Sequence, residues 1–267
     1  MVDALLFKDK IVLVTGSGRG IGKAIALHFA RHGAHVVVNF FRNRTPAEAT
    51  AVEIRSLGRQ ALVVKANMGE IEGIWNLFDA ISTEFGALDI LVSNAASGFN
   101  RPVMKQKPKG WDWTLNINSR ALLFAAQQAV PLMEKRGGGH IVAITSPGAR
   151  RVLPDYVVVG ASKAALEAVV RYLAVELAPL NIAVNAVSPG MVLTEALQHF
   201  DTVRSDKHLI DKAIALTPAG RLVTPEDVAG VVAFLCSPAA YMIRGQVLEV
   251  DGGATLPGPG VQLDNQP

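Results

Sequence analysis

Tyr156 and Lys163 stand seven residues apart in the stretch Asp155-Tyr-Val-Val-Val-Gly-Ala-Ser-Lys163. A phenol is a hydrogen-bond donor, and a lysine ammonium is a compact charge with three donors of its own. From Ala161 to Leu177 the residues Leu166, Val169, Val170, Leu173 and Leu177 recur at helical spacing, with Ala161, Ala164, Ala165, Ala168 and Ala174 covering much of the rest. If the run is helical throughout, Tyr156 and Lys163 share a face, roughly 10 Å apart along the axis. A helix apolar on most sides is buried, or buries its second face in an oligomer. The plainer alternative places Lys163 on a solvated stripe with Glu167 and Arg171, although Lys before Glu is the weaker order for such a pair.

The elements that would position this pair alternate strand and helix. Ile11 to Thr15 is a short β-branched run fit for a buried parallel strand. It runs into Gly16-Ser-Gly-Arg-Gly-Ile-Gly22, after which Lys23 to Arg31 suits a helix. Strand, glycine loop and helix give the context of a dinucleotide site: backbone N–H groups approach a pyrophosphate at the positive end of the helix dipole. His35 to Asn39 is a second strand. Its end carries Asn39-Phe-Phe-Arg42-Asn-Arg44 and no acid before Glu48. A carboxylate there would bond a ribose hydroxyl and repel a 2′-phosphate, whereas a guanidinium forks onto the phosphate. Arg42, Arg19 and Arg44 therefore argue for NADPH.

Further strands are expected at 61–65, 88–92, 140–146, 182–187 and 247–251, and helices at 47–57, 71–85 and 111–133. Asn67 and Met68 follow the third strand, where an adenine would lie at their edge. The alternation implies one doubly wound, Rossmann-type α/β domain over residues 1–254, with a seven-stranded parallel sheet flanked by helices. Apolar residues between 195 and 217 suit a lid over an acyl chain, and 255–267, rich in Pro and Gly, is expected to be a loose tail.

The 267 residues carry a net charge of +3 and a single cysteine, Cys236. No internal disulfide or cysteine-rich metal site is possible, and no metal is expected. No apolar run has the length of a membrane span, the start lacks the order of a signal peptide, and no dense basic block argues for nucleic acid. The expectation is a cytoplasmic protein.

Together these motifs resemble the short-chain dehydrogenase/reductase family over about Lys10 to Gly253. Thr15-Gly-Ser-Gly-Arg-Gly-Ile-Gly22 is similar to its cofactor loop, and Asn94-Ala95-Ala96 to its Asn-Ala-Gly element, with Ala96 in place of the glycine. Asn118 falls where the family keeps an asparagine, and Ser146 where it keeps a catalytic serine. Ser188-Pro-Gly190 falls where the nicotinamide is bounded. The resemblance adds Ser17, Gly20, Ile21, Pro189, Val192 and Thr194 to the cofactor contacts. Most of the family uses Tyr-x-x-x-Lys, but the residue four before Lys163 is Val159. The Tyr-x6-Lys spacing resembles the enoyl-[acyl-carrier-protein] reductases of fatty-acid synthesis, and Asn94-Ala-Ala-Ser-Gly98, Trp111-Asp-Trp and Met242-Ile-Arg-Gly-Gln246 look closest to the NADPH-using type III.

The resemblance implies a hydride delivered to C3 of an enoyl thioester. Tyr156 would donate to the developing enolate oxygen. Lys163 would hold the nicotinamide ribose, its charge favouring the polarised phenol. Ser146 would be a second donor, and Asn118 would order water or backbone near Lys163. It also implies a homotetramer. Arg101, Lys105, Lys107 and Lys109, with Arg204, Lys207, His208 and Lys212, would meet an acidic acyl carrier protein. The alternatives are a 3-oxoacyl or carbonyl reductase and a non-catalytic cofactor-binding sensor or scaffold.

Overall fold

The computed structural model describes residues 6–194 and 208–258. Within it β1 (Ile11–Val14), β2 (His35–Phe40), β3 (Ala61–Lys65), β4 (Ile90–Ser93), β5 (Gly139–Ile144), β6 (Ile182–Pro189) and β7 (Val247–Val250) form one parallel sheet in the order β3-β2-β1-β4-β5-β6-β7. The order reverses direction between β1 and β4. In an open parallel sheet, the crevice beyond the carboxyl ends of the strands at that point is where ligands bind.

Two apolar layers clamp the sheet. On one face Val12 and Val14 pack with Ile25 and Phe29 of α1 (Gly20–Arg31), Ala47 and Ile54 of α2 (Arg44–Ser56), and Val228 and Val232 of α8 (Pro225–Leu235). On the other, Ile11 and Leu13 pack with Leu77 and Ile81 of α3 (Ile71–Phe85), Leu122 and Met133 of α5 (Ala121–Glu134), and Leu166 and Val170 of α6 (Val157–Glu176). β1 is buried on both faces, which is why it is a continuous apolar run with no alternation. Gly86 ends α3 in the left-handed conformation at φ 69°, a geometry glycine adopts without a Cβ penalty.

The helix expected at 111–133 is divided. α4 (Pro108–Leu115) passes into a π-helical turn, Asn116–Arg120, before α5 begins. A π turn carries one extra residue, which re-aims the side chains it contains. Of the lid expected at 195–217, residues 195–207 lie outside those described. Its end is a short helix, α7 (Leu209–Ala215). Residues 259–267 of the expected tail also lie outside. Among the described residues no helix is long and apolar enough to cross a membrane.

Candidate active site

A cleft of about 860 Å³ opens at the carboxyl ends of β1, β2, β4 and β5. Its floor is knitted by side chains that turn inward. Thr15 Oγ1 accepts from the backbone N–H of Asn94 and Ala95, both at 2.9 Å, and Asn94 Nδ2 donates to the carbonyls of Thr15 at 2.8 Å and Gly16 at 3.2 Å. This ties the glycine loop to the strand across the reversal. A β-carbon on Gly22 would stand 2.5 Å from Asn94 Nδ2, so the tie requires glycine there. Gly16 and Gly20 have φ of 66° and 55°, the region that only glycine enters freely.

Asn39 stands next to the end of β2, where an acid would meet a ribose. It is buried: its Oδ1 accepts from Gly16 N at 3.1 Å and its Nδ2 donates to the Ala66 carbonyl at 3.2 Å. Arg19 and Arg42 line the cleft and are exposed. Arg44 lies in α2 outside the lining, paired with Glu48 at 3.0 Å, so the sequence-based grouping of three arginines reduces to two.

These residues fit a dinucleotide. Among the described residues no side chain caps the first turn of α1, where Gly20, Ile21 and Gly22 line the cleft. The glycine loop is a cradle, and the buried Asn67 Nδ2 in the cleft wall has no partner among the described residues.

The chemical residues come from three elements. Asp155, with φ 60°, turns the chain in a left-handed conformation that Asp tolerates, and its carbonyl accepts from Arg101 N at 2.8 Å. Tyr156 follows as the residue that caps α6, one step outside the helix. Its position is therefore set by this turn and not by two full helical turns. Its hydroxyl lies 3.4 Å from Ser146 Oγ, and Ser146 also accepts from Gly148 N at 3.3 Å. Burial pushes the Tyr156 proton affinity up, partly offset by the Ser146 hydrogen bond.

Lys163 is 5% exposed and donates to the Ile144 carbonyl at 2.7 Å. Burial lowers its pKa to about 8. Its ammonium is engaged by the strand end. The solvated stripe is corrected. Glu167 is 4% exposed, accepting from Thr145 Oγ1 at 3.0 Å and pairing with Arg150 at 2.9 Å.

The π turn aims Asn118 at the backbone behind the cleft wall. Its Oδ1 accepts from Ser97 N at 2.8 Å, and its Nδ2 donates to the Ser97 carbonyl and Ser162 Oγ, both at 2.9 Å. Ser162 immediately precedes Lys163, so Asn118 orders the structure around both.

Gly16, Arg19, Gly20, Ile21, Gly22, Arg42, Asn67, Met68, Asn94, Ala95, Ala96, Ser146, Tyr156, Lys163 and Thr194 line this one cleft. Ser17, Pro189, Gly190 and Val192 do not. Ser17 is fully buried and donates to the Val14 carbonyl at 2.7 Å, supporting the loop from below. Pro189 is buried at the end of β6, Gly190 packs on Asp251, and Val192 bridges to Val223. The sequence reading missed Phe41, Phe99 and Asn100, and it quoted Gly98 and Trp113 within matching segments without giving either a role. Trp113 Nε1 donates to Ser97 Oγ at 2.8 Å and its ring centroid lies 6.4 Å from that of Phe41. Such cross-sheet neighbours leave no mark in local spacing. Cys236 is a buried free thiol whose proton affinity is raised by burial, the behaviour of a core residue.

Residues 16–255 match a protein family described as Enoyl-(Acyl carrier protein) reductase. The chain is 39% identical over 252 residues to the 1-cyclohexenylcarbonyl-CoA reductase of Streptomyces collinus, covering 94% of this chain and 89% of that one. It is 37% identical over 254 residues to the versicolorin reductase of Emericella nidulans, covering 92% and 95%. Among solved structures, a 7α-hydroxysteroid dehydrogenase complexed with NADH and 7-oxo glycochenodeoxycholic acid is similar at a TM-score of 0.89 and 36% identity, covering 95% and 97%. The L-sorbose reductase of Gluconobacter frateurii, complexed with NADPH and L-sorbose, is similar at 0.89 and 30%, covering 96% and 100%.

Proposed function

Because the chain belongs to the short-chain dehydrogenase/reductase family, we propose that it is an NADPH-dependent reductase of enoyl thioesters. The observation that carries this reading is the entry of the phenol from position 156, three residues ahead of the family's usual place, onto Ser146 at 3.4 Å. The family model matched by residues 16–255 supports it. So does the Streptomyces collinus relative, since 1-cyclohexenylcarbonyl-CoA is by its structure a conjugated enoyl thioester.

Bound in the cleft, the reduced nicotinamide would supply a hydride for C3 of the substrate, and the resulting enolate would take a proton from water at C2. Tyr156 donates a hydrogen bond to the thioester oxygen on which charge develops. Its raised proton affinity keeps the phenol protonated at neutral pH and so available as a donor. Ser146 holds the hydroxyl's direction and can itself donate to the same oxygen. Lys163, one donor spent on Ile144, has two left for the ribose hydroxyls. Arg42 and Arg19 would receive the 2′-phosphate, and Asn67 Nδ2 would meet the adenine edge. Phe99 and Trp113 line the cleft and would flank an apolar substrate. Arg101, Lys105 and Lys107 precede α4, Lys109 stands in its first turn, and the four would dock an acidic carrier protein.

A second reading, reduction of a 3-oxo or other carbonyl group, is favoured by the solved structures, whose ligands are an oxo steroid and a keto sugar. NADPH oxidation by the purified chain with crotonyl and with acetoacetyl thioester separates the two. The expected result is turnover of crotonyl thioester with NADPH preferred over NADH. Turnover of acetoacetyl thioester alone would replace this reading with the second.

A further inference from the structure

The ring of Tyr156 has room because residue 148 is glycine. A β-carbon built on Gly148 would stand 2.5 and 2.6 Å from Cε1 and Cδ1 of that ring and 3.3 Å from Cδ1 of Leu153. Separations of this size lie far inside the optimal contact distance of about 3.5–4.0 Å between carbons, so the ring would have to leave. The φ of Gly148 lies outside the left-handed region. Alanine is therefore acceptable to the backbone there, and the collision with the Tyr156 ring is its main effect.

The turn carrying Gly148 cannot retreat to make space. On its far side its carbonyl is pressed against α6, where a β-carbon on Gly160 would stand 2.7 Å from Gly148 O. On its near side its N–H donates to Ser146 Oγ, the atom that the Tyr156 hydroxyl meets. Gly148 and Gly160 thus make a slot one ring wide beside the serine. The other route into the cleft, position 159, lines it but is already packed. Val159, where most of the family carries its tyrosine, packs its Cγ2 into the space that a β-carbon on Gly98 would occupy. A ring at 159 would meet the same loop.

We propose that Gly148 is the positioning residue for the active-site phenol: the absence of a side chain at 148 admits the tyrosine from position 156, while the Val159–Gly98 contact bars it from 159. The proposal rests on Tyr156 being the donor, and it explains how a displaced tyrosine still reaches Ser146.

Two mutant cycles test it. With crotonyl thioester and NADPH, Gly148→Ala should lower kcat about a hundredfold, the scale expected for a misplacement near 1 Å, and leave the NADPH dissociation constant unchanged. In a Tyr156→Phe background the same substitution should cost less than about twofold, because groups acting as a unit are not additive. Equal proportional losses in the two backgrounds, or a Gly148→Ala enzyme as fast as its parent, would overturn the proposal.

The second cycle reads thermal unfolding and needs no substrate. Gly148→Ala should lower Tm in the parent but not in a Tyr156→Ala background, where no ring remains to be struck. Equal lowering in both, or failure of both proteins to fold, overturns the slot. A Gly148→Ala protein that fails to fold while Gly148→Ala/Tyr156→Ala folds supports it. Finally, Tyr156→Phe/Val159→Tyr should stay at the activity of Tyr156→Phe, and recovery would show that position 159 is open. If the parent chain is inactive on crotonyl thioester, the enzymatic reading fails and the unfolding cycle still decides the role of Gly148.

Discussion

Lys163 gives one of its three N–H bonds to Ile144 O, and burial brings its titration down to about pH 8. Above that pH the folded chain holds a neutral amine, a weaker donor for ribose hydroxyls. The NADPH dissociation constant should therefore rise as pH passes through about 8, and should be flat there in Lys163→Met. Stability moves the opposite way. The unfolded chain keeps this proton to about 10.5, so between about 8 and 10.5 it binds more protons than the folded chain. Unfolding free energy measured without cofactor should rise with pH across that window, relative to Lys163→Met. A falling curve would contradict the burial of an uncompensated ammonium. The sequence placed Tyr156, Ser146 and Lys163 in one site but left Lys163 open between core and solvated stripe. Only the fold shows Glu167 turned inward to Arg150 and Thr145, which separates it from the lysine four residues before it.

The strands were legible because β-branched runs such as Val36-Val-Val38 and Ile141-Val142 are apolar on both faces, and the glycine loop because its neighbours are a strand and a helix. The division of 108–134 was not legible. An extra residue in a π turn leaves the apolar period almost intact on either side, and its reason is tertiary: it carries Asn118 to Ser97 and Ser162. Asn118 is 1% exposed and all three of its hydrogen bonds are internal. Asn118→Ala leaves Ser97 N without that partner and should cost about 1–3 kcal/mol in urea unfolding, with an unchanged m-value. A loss below about 0.5 kcal/mol would mean that the π turn is held by something else.

Over the whole molecule, the reversal of strand order between β1 and β4 brings a cradle, a phenol and an ammonium to one edge of the sheet. The basic residues 101–109 stand on the connection from β4 and the first turn of α4, between the cleft-lining Phe99 and Trp113 in the chain. If they dock a carrier protein, KM for a carrier-bound enoyl substrate should climb with salt while KM for the short thioester stays nearly constant. Parallel behaviour of the two would remove the carrier protein from the account. The chemistry itself depends on a single hydroxyl. One well-placed donor to a developing oxyanion is worth about 3–4 kcal/mol. Turnover of crotonyl thioester by Tyr156→Phe, with NADPH affinity measured alongside, should therefore fall by about two to three orders of magnitude with the dissociation constant unchanged; turnover close to that of the parent enzyme would contradict the assignment of Tyr156 as the donor.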